Sequence, residues 1–294
     1  MYAAKPKPLD ELCALAVKLP CSPAVLPQLM AAMQDQTNTT GEVERVIRLD
    51  SSLAGATVRL ANSSFFGGKS RIESVNDAVL TLGQRELFRL ASISLIGRWE
   101  DAHASALPWE PGDYARHSLC TALAAEVLAE EIPGNDPEVA YTCGLVCDIG
   151  KLVLAYFCPT FYPEISEKVS ASGCTWEEAE TSVLGYNHSK VGAQLLRTWK
   201  FPDTLARAVQ CQFRPTDAST DVQPQLALLQ AARYVAVCLG PGVTEGGFMF
   251  KLDGPLLERF GYTTAAIEHA ILEVRERFLK RMGTHMVGAS GLGA

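Results

Sequence analysis

Cys147-Asp148-Ile149-Gly150-Lys151 is the stretch that decides the fold, and it resembles a metal-binding His-Asp motif whose histidine is a cysteine. A His-Asp pair on a helix places an imidazole beside a carboxylate. Together with His and Asp side chains from other helices, such a pair can bind one or two divalent metals that activate water for phosphate-ester hydrolysis. Whether this chain is an enzyme therefore depends on how many of the other metal ligands it carries.

The composition describes a chain with a sizeable hydrophobic core. Its 294 residues are 48% hydrophobic, which suits one large domain or two modest ones. The net charge of −7 argues against a protein that binds nucleic acid through an overall positive field. We therefore do not expect nucleic acid as a partner.

The same sequence indicates a cytoplasmic protein. Its beginning lacks the apolar region of a signal peptide. No run approaches the roughly 18 uninterrupted apolar residues that a membrane helix needs, so we expect no membrane partner. The nine cysteines show no CxxC spacing and lie mostly among apolar neighbours, which favours reduced thiols over a disulfide framework.

Hydrophobic periodicity is helical along nearly the whole chain, and strand-like alternation is absent. Asp50 and Ser74 are typical helix N-caps, and Gly83 is expected to end the helix that begins at Val75. Further helices are predicted at about 112–131, 137–157, 160–172, 175–184, 189–199, 202–212, 224–239 and 264–282. The chain is therefore predicted to be an all-α, multi-helix bundle.

Residues 100–112 interrupt this pattern with two prolines and a glycine. We place a domain boundary there, between an N-terminal helical subdomain at 1–105 and a second helical domain at 106–283. Residues 284–294 are rich in Gly, Ala and Ser and are predicted to form a flexible tail.

Six short motifs stand along the chain in this order: Leu19-Pro20-Cys21-Ser22-Pro23, Arg59-Leu60-Ala61-Asn62-Ser63, Arg116-His117-Ser118, Gly144-Leu145-Val146-Cys147-Asp148-Ile149-Gly150-Lys151, Tyr186-Asn187-His188 and Trp199-Lys200-Phe201-Pro202. By their order and spacing they together resemble the HDOD domain, a bacterial relative of the HD and HD-GYP phosphohydrolases. The resemblance covers roughly residues 12–240. It implies an N-terminal helical subdomain followed by an HD-like helical domain, and a role in signal transduction and gene regulation.

The resemblance assigns four residues to the remnant of a metal site: His117, Cys147, Asp148 and His188. Cys147 replaces the motif histidine; it could bind zinc as a thiolate, or be a buried core thiol, which its apolar neighbours favour. His188 stands at a helix start, where it could be a ligand, a helix cap or a packing residue. Asp148 needs a cation or several donors to stay charged if it is buried.

Other ligand positions of the family are changed. Gln210-Cys211-Gln212-Phe213 stands where the family commonly has a His-His pair, and Arg233 stands where HD proteins carry their last aspartate. A fixed positive charge at a ligand position would repel a divalent ion. We therefore hypothesise that Arg233 lies beside Asp148 and replaces the metal, and we expect no metal, no cofactor and no enzymatic activity.

Three functions follow as hypotheses. The favoured one is a non-catalytic signalling or regulatory scaffold that binds partner proteins in trans. The alternative is a metal-dependent phosphohydrolase acting on nucleotides or cyclic dinucleotides, and the third is a nucleic-acid-binding regulator. The apolar stripe of the predicted last helix, at 268–280, could also pair with a second copy to form a homodimer.

Overall fold

The computed structural model describes residues 6–17, 28–29, 40–48, 50–63, 66, 71–101, 109–240 and 251–289. Within these ranges every regular element is a helix and no strand is present, so the prediction of an all-α fold is confirmed. The α-helices in chain order are α1 (Leu9–Ala16), α2 (Thr40–Arg48), α3 (Ser51–Ala61), α4 (Val75–Asp101), α5 (Asp113–Glu131), α6 (Pro137–Val146), α7 (Ile149–Phe157), α8 (Tyr162–Ser172), α9 (Trp176–Leu184), α10 (His188–Thr198), α11 (Asp203–Cys211), α12 (Gln223–Leu239), α13 (Gly254–Arg259) and α14 (Thr264–Ala289).

The described residues divide into two units. The first contains 6–17, 100–101, 109–240 and 251–275, and the second contains 28–29, 40–48, 50–63, 66, 71–99 and 276–289. In the first unit α5 packs against α6 and α12, while α10 packs against α7 and α11. These are the helices that position the candidate site.

Side-chain caps begin several helices where the sequence predicts them. The Asp50 carboxylate accepts a hydrogen bond from the Leu53 backbone N–H at 2.9 Å. The Ser74 hydroxyl accepts one from the Asp77 N–H at 3.0 Å. Each cap satisfies a backbone donor that the first helical turn leaves open. Within α4 the backbone at Gly83 leaves the helical region (φ 75°, ψ 161°), so the predicted helix end at this residue is found as a break.

Gly150 of the opening motif allows α7 and α10 to approach closely. A Cβ atom built at this position would lie 1.9 Å from the His188 carbonyl oxygen and 2.8 Å from the Gly192 nitrogen. Both contacts are with backbone, which cannot rotate away as a flexible side chain could. Glycine is therefore required here, and the close approach fixes His188 next to the motif.

The predicted helix 137–157 is divided in two, which corrects the expectation that the Cys147-Asp148 pair lies on one helix. Helix α6 ends at Val146 and α7 begins at Ile149. Asp148 has φ −103° and ψ 12°, outside the α-helical region, and its carbonyl accepts from the Lys151 N–H at 2.8 Å. The pair therefore forms the joint between two helices.

Residues 137–157 have the length and composition of a membrane span, but the most apolar part is 89% buried inside the protein. Burial of this kind is typical of a core helix. The break at Cys147-Asp148 agrees with that interpretation, because a polar joint between helices is not satisfied by lipid.

Helix α1 belongs to the first unit, whereas the sequence grouped residues 1–105 in one N-terminal subdomain. Its apolar face, with Leu12, Cys13 and Ala16, is buried, and the helix packs against α10. The Tyr186 hydroxyl also donates to the Lys7 carbonyl at 2.7 Å. Burial of this short apolar face against α10 accounts for the difference.

Helix α14 continues to Ala289, beyond the predicted start of a flexible tail at residue 284. Once a helix has begun, each further residue adds one hydrogen bond, so a helix can extend through a weakly helical sequence. Residues 290–294 of the predicted tail lie outside the described residues.

Candidate functional site

The structure brings together the four residues that the sequence assigned to the remnant site and Arg233, the predicted replacement for the metal. Cys147 and Asp148 form the joint between α6 and α7, His117 comes from α5, His188 is the first residue of α10, and Arg233 comes from α12. All five residues are buried. The side chains of the four that take part in charged contacts, which are all but Cys147, are at most 8% exposed. The site therefore lies in the core of the first unit.

Arg233 and Asp148 form the central contact. Arg233 Nη1 donates to Asp148 Oδ1 at 2.6 Å and to Gln212 Oε1 at 3.1 Å, and it lies 3.7 Å from Cys147 Sγ. The guanidinium carbon also lies 4.8 Å from the centroid of the Phe213 ring, in a cation–π contact. The proximity that the sequence hypothesis required is thus present in the structure.

The charges of this pair support each other. Burial alone raises the pKa of the Asp148 carboxyl, but the positive charges of Arg233 and Lys151 outweigh it and hold that pKa well below 3.8. Burial lowers the pKa of Arg233, and the Asp148 carboxylate more than compensates, so the pKa of Arg233 is raised. Both directions indicate a buried pair in which both groups are ionised.

His188 is oriented by Glu180 of α9. Glu180 Oε2 accepts from the His188 backbone N–H at 2.8 Å and contacts its Nδ1 at 2.6 Å. An ionised carboxylate can only accept, so Nδ1 carries a proton and Nε2 is directed elsewhere. That Nε2 lies 3.7 Å from Asp148 Oδ1. The cap of α10 is Asn187, whose side chain accepts from the Lys190 N–H, so the cap alternative for His188 is not what the structure shows.

His117 approaches the other oxygen of the same carboxylate. Its Nε2 lies 3.6 Å from Asp148 Oδ2, which is longer than an ordinary hydrogen bond. Burial lowers the pKa of His117 despite the nearby carboxylate, so the neutral imidazole is favoured.

Cys147 has the contacts of a core thiol. Burial raises its pKa to about 12, with a smaller effect of the Asp148 charge in the same direction. Its Sγ donates to the Gly144 carbonyl at 3.2 Å. A zinc ligand would have to be a thiolate, which this environment disfavours.

Four further site residues were not predicted. Glu180 orients His188, while Trp176 Nε1 donates to the other Glu180 oxygen at 3.0 Å. Gln212 accepts from Arg233 and donates to the Cys147 carbonyl at 3.0 Å and to Ser189 Oγ at 3.2 Å. The other two are Lys151 and Phe213.

Some signals for these residues were available in the sequence. Glu180 follows Trp176 by four positions, so both lie on one face of a helix with Ala179 and Leu184, which is the buried face. Gln212 and Phe213 lie in the stretch that replaces the family's His-His pair. Nothing in the sequence indicated which partner each of them would contact.

These residues do not fit a divalent metal. Asp148 and Glu180 carry two negative charges and Arg233 and Lys151 two positive ones, so a divalent ion would add two unbalanced charges to a buried site. Asp148 Oδ1 is already bound by the Arg233 guanidinium at 2.6 Å. Among the residues that the structure describes, no group of three or more His, Cys, Asp and Glu side chains is arranged to hold a metal ion.

Comparisons with known proteins identify the family and the fold of this chain. The sequence profile of the HDOD domain matches residues 19–215. A Treponema pallidum (strain Nichols) protein without an assigned function is 20% identical over 226 residues, which are 73% of this chain and 41% of that protein. The chain therefore spans well under half the length of that relative.

Solved structures share the fold at low identity. An HDOD domain protein of unknown function from Geobacter sulfurreducens has a TM-score of 0.72 and 20% identity, over 92% of this chain and 95% of that one. A protein from Marinobacter aquaeolei VT8, provisionally described as a signal transduction protein, has a TM-score of 0.73 and 23% identity, over 97% of this chain and 62% of that one. A Shewanella amazonensis SB2B protein, provisionally described as a phosphohydrolase, has a TM-score of 0.60 and 24% identity, over 90% of this chain and 97% of that one.

Proposed function

This chain belongs to the HDOD domain family, and from that membership we propose that it is a non-catalytic regulatory module in signal transduction. In this proposal it acts in the cytoplasm by binding signalling or regulatory proteins in trans. The observation that carries the proposal is the buried contact of Arg233 Nη1 with Asp148 Oδ1 at 2.6 Å.

The contact supports a structural role for a site that has a catalytic role in metal-dependent relatives. A metal would hold its ligands through shared coordination and would polarise water. Arg233 holds the carboxylate but offers no open coordination position, and a guanidinium does not lower the pKa of a bound water as a metal does. The cluster can therefore tie α12 to the joint between α6 and α7 without supplying hydrolytic chemistry.

The alternative is a metal-dependent phosphohydrolase, which one observation favours. His117, His188 and Asp148 are ligand types that such enzymes use, and the Nε2 atom of each histidine lies within 4 Å of an Asp148 carboxylate oxygen. The Shewanella protein is provisionally described as a phosphohydrolase, although at 24% identity it supports the fold alone. We favour the regulatory module because the charges of Arg233 and Lys151 oppose metal binding.

Hydrolysis assays separate the two functions. The full chain, purified without chelators, is incubated with nucleotides and cyclic dinucleotides, with and without added Mn²⁺, and products are measured by chromatography. The regulatory module predicts product formation equal to that of a buffer blank under both conditions. Turnover that requires Mn²⁺ and is lost in Asp148→Asn would overturn the proposal in favour of the phosphohydrolase.

Capture from native cells tests the part of the proposal that concerns partners. Crosslinking with the tagged full chain should enrich proteins of a signalling or regulatory pathway over a tag-only control. Enrichment of nucleic acid instead, with a steep dependence of binding on salt concentration, would favour the third hypothesis over the proposal.

A further inference from the structure

Three buried polar atoms at the Asp148 carboxylate have no hydrogen-bond partner in the protein. They are one of its own oxygens, Oδ2, and the Nε2 atoms of His117 and His188. The three residues are 4%, 1% and 1% exposed. Most buried polar side-chain atoms have a partner in the protein or in ordered water, because an unpartnered one costs stability. Three such atoms around one carboxylate therefore indicate a shared ligand.

Neighbouring groups restrict the hydrogen-bonding roles of two of these atoms. His188 donates through Nδ1 to Glu180 at 2.6 Å, so in the neutral ring its Nε2 is an acceptor. Asp148 is ionised and its Oδ2 can only accept. His117 can take either tautomer, and its Nε2 lies 3.6 Å from Asp148 Oδ2. The ligand must therefore donate two hydrogen bonds, and His117 Nε2 can supply the one that it accepts.

The charges of the site select a neutral ligand. Asp148 and Glu180 balance Arg233 and Lys151, so a cation would leave excess positive charge in the core. Distances of 3.6 and 3.7 Å between the imidazole nitrogens and the carboxylate oxygens are too long for direct hydrogen bonds. One atom can lie about 2.8 Å from both groups of such a pair if it sits beside the line that joins them.

We propose that one buried water molecule binds here, donating to His188 Nε2 and Asp148 Oδ2 and accepting from His117 Nε2–H. Water offers two donors and accepts readily, which matches the three atoms, and buried waters typically make about three hydrogen bonds. The proposal rests on the proposed function, since it requires a site free of metal. The water links α5 and α10 to Asp148, while Arg233 links Asp148 to α12. The two histidines then carry opposite tautomers.

Nitrogen NMR of the full chain, labelled at its five histidines, tests the tautomers. Signals are assigned by their loss in His117→Gln and His188→Gln. The expected result is a proton on Nε2 of His117 and on Nδ1 of His188. A proton on Nδ1 alone of His117 would overturn the water assignment, because its Nε2 could then not donate.

A crystal structure of the full chain, with diffraction recorded across the zinc and iron absorption edges, tests the ligand itself. The expected result is a water about 2.8 Å from all three atoms, with no anomalous signal. A dry site, with His117 Nε2 moved to about 3.0 Å from Asp148 Oδ2, would overturn the inference but leave the proposed function intact. An anomalous peak about 2.1 Å from the histidine nitrogens would overturn both.

Discussion

Replacing Arg233 with methionine should destabilise the protein severely. The substitution keeps a long apolar stem but removes the charge whose Nη1 lies 2.6 Å from Asp148 Oδ1, and Asp148 is 1% exposed. Removing one partner of a buried ion pair leaves an uncompensated charge, which costs about 3–5 kcal/mol. Domains are commonly stable by only about 5–15 kcal/mol, so much of the folding free energy would be lost.

Urea unfolding followed by circular dichroism measures this loss. Arg207→Met is the matched control, because Arg207 Nη2 also lies 2.6 Å from a carboxylate, that of Asp221, but these two side chains are 32% and 56% exposed. Exposed pairs contribute little, so the control should lose far less stability than Arg233→Met. Equal losses for the two variants would refute the reasoning from burial.

The double variant Arg233→Met/Asp148→Leu completes the test. Replacing both members of a buried pair with apolar groups is often close to neutral, since no charge is left unpaired. The double variant should therefore be more stable than Arg233→Met alone. A double variant whose loss equals the sum of the two single losses would mean that the two residues are not coupled.

Three further predictions concern stability. Gly150→Ala should lower the free energy of unfolding in urea by at least about 2 kcal/mol, because the added Cβ would lie 1.9 Å from a backbone atom. The control Gly192→Ala places its Cβ 3.4 Å or more from its neighbours and should stay within about 1 kcal/mol of the native chain. Similar losses for the two variants would contradict the close-approach argument. The depressed pKa of Asp148 contributes stability that is present above its ordinary pKa of 3.8 and is lost as the pH falls below that value. The thermal unfolding temperature of Asp148→Asn should therefore depend less on pH in that acid range than that of the native chain. Equal pH dependence of the two unfolding temperatures would count against an ionised pair. Lys200 has a left-handed backbone conformation (φ 64°), which glycine adopts without strain. Lys200→Gly should therefore raise the free energy of unfolding, measured by heating, by up to about 1 kcal/mol. A lower stability of the variant would show that the lysine side chain makes a compensating contact.

Sequence patterns predicted the local structure well because local signals determine it. The Asp50 and Ser74 caps and the break at Gly83 depend on interactions within a few residues. The packing of α1 against α10 depends on residues far apart in the chain, so no local pattern predicted it. The joint at Cys147-Asp148 was missed for a related reason. The apolar stretch continues across it with no proline after Pro137, and isolated glycines such as Gly144 and Gly150 are tolerated within a helix.

The candidate site was predictable in part. The approach of Arg233 to Asp148 followed from charge, because a buried carboxylate needs a cation and an arginine stood at a ligand position. The roles of Glu180 and Gln212 could not be derived, since each depends on a side chain directed across the core to a helix distant in sequence. Gln212 contacts Arg233 and the Cys147 carbonyl together, which no residue spacing encodes.

Metal content of the purified full chain tests the central claim most directly. The chain is prepared without chelators, incubated with Zn²⁺, Fe²⁺ and Mn²⁺ in turn, desalted, and analysed by elemental mass spectrometry beside Asp148→Asn. The Arg233–Asp148 pair predicts far less than one ion per chain, and no difference between the native chain and the variant. One ion per native chain that is absent from Asp148→Asn would contradict the claim that Arg233 stands in place of the metal.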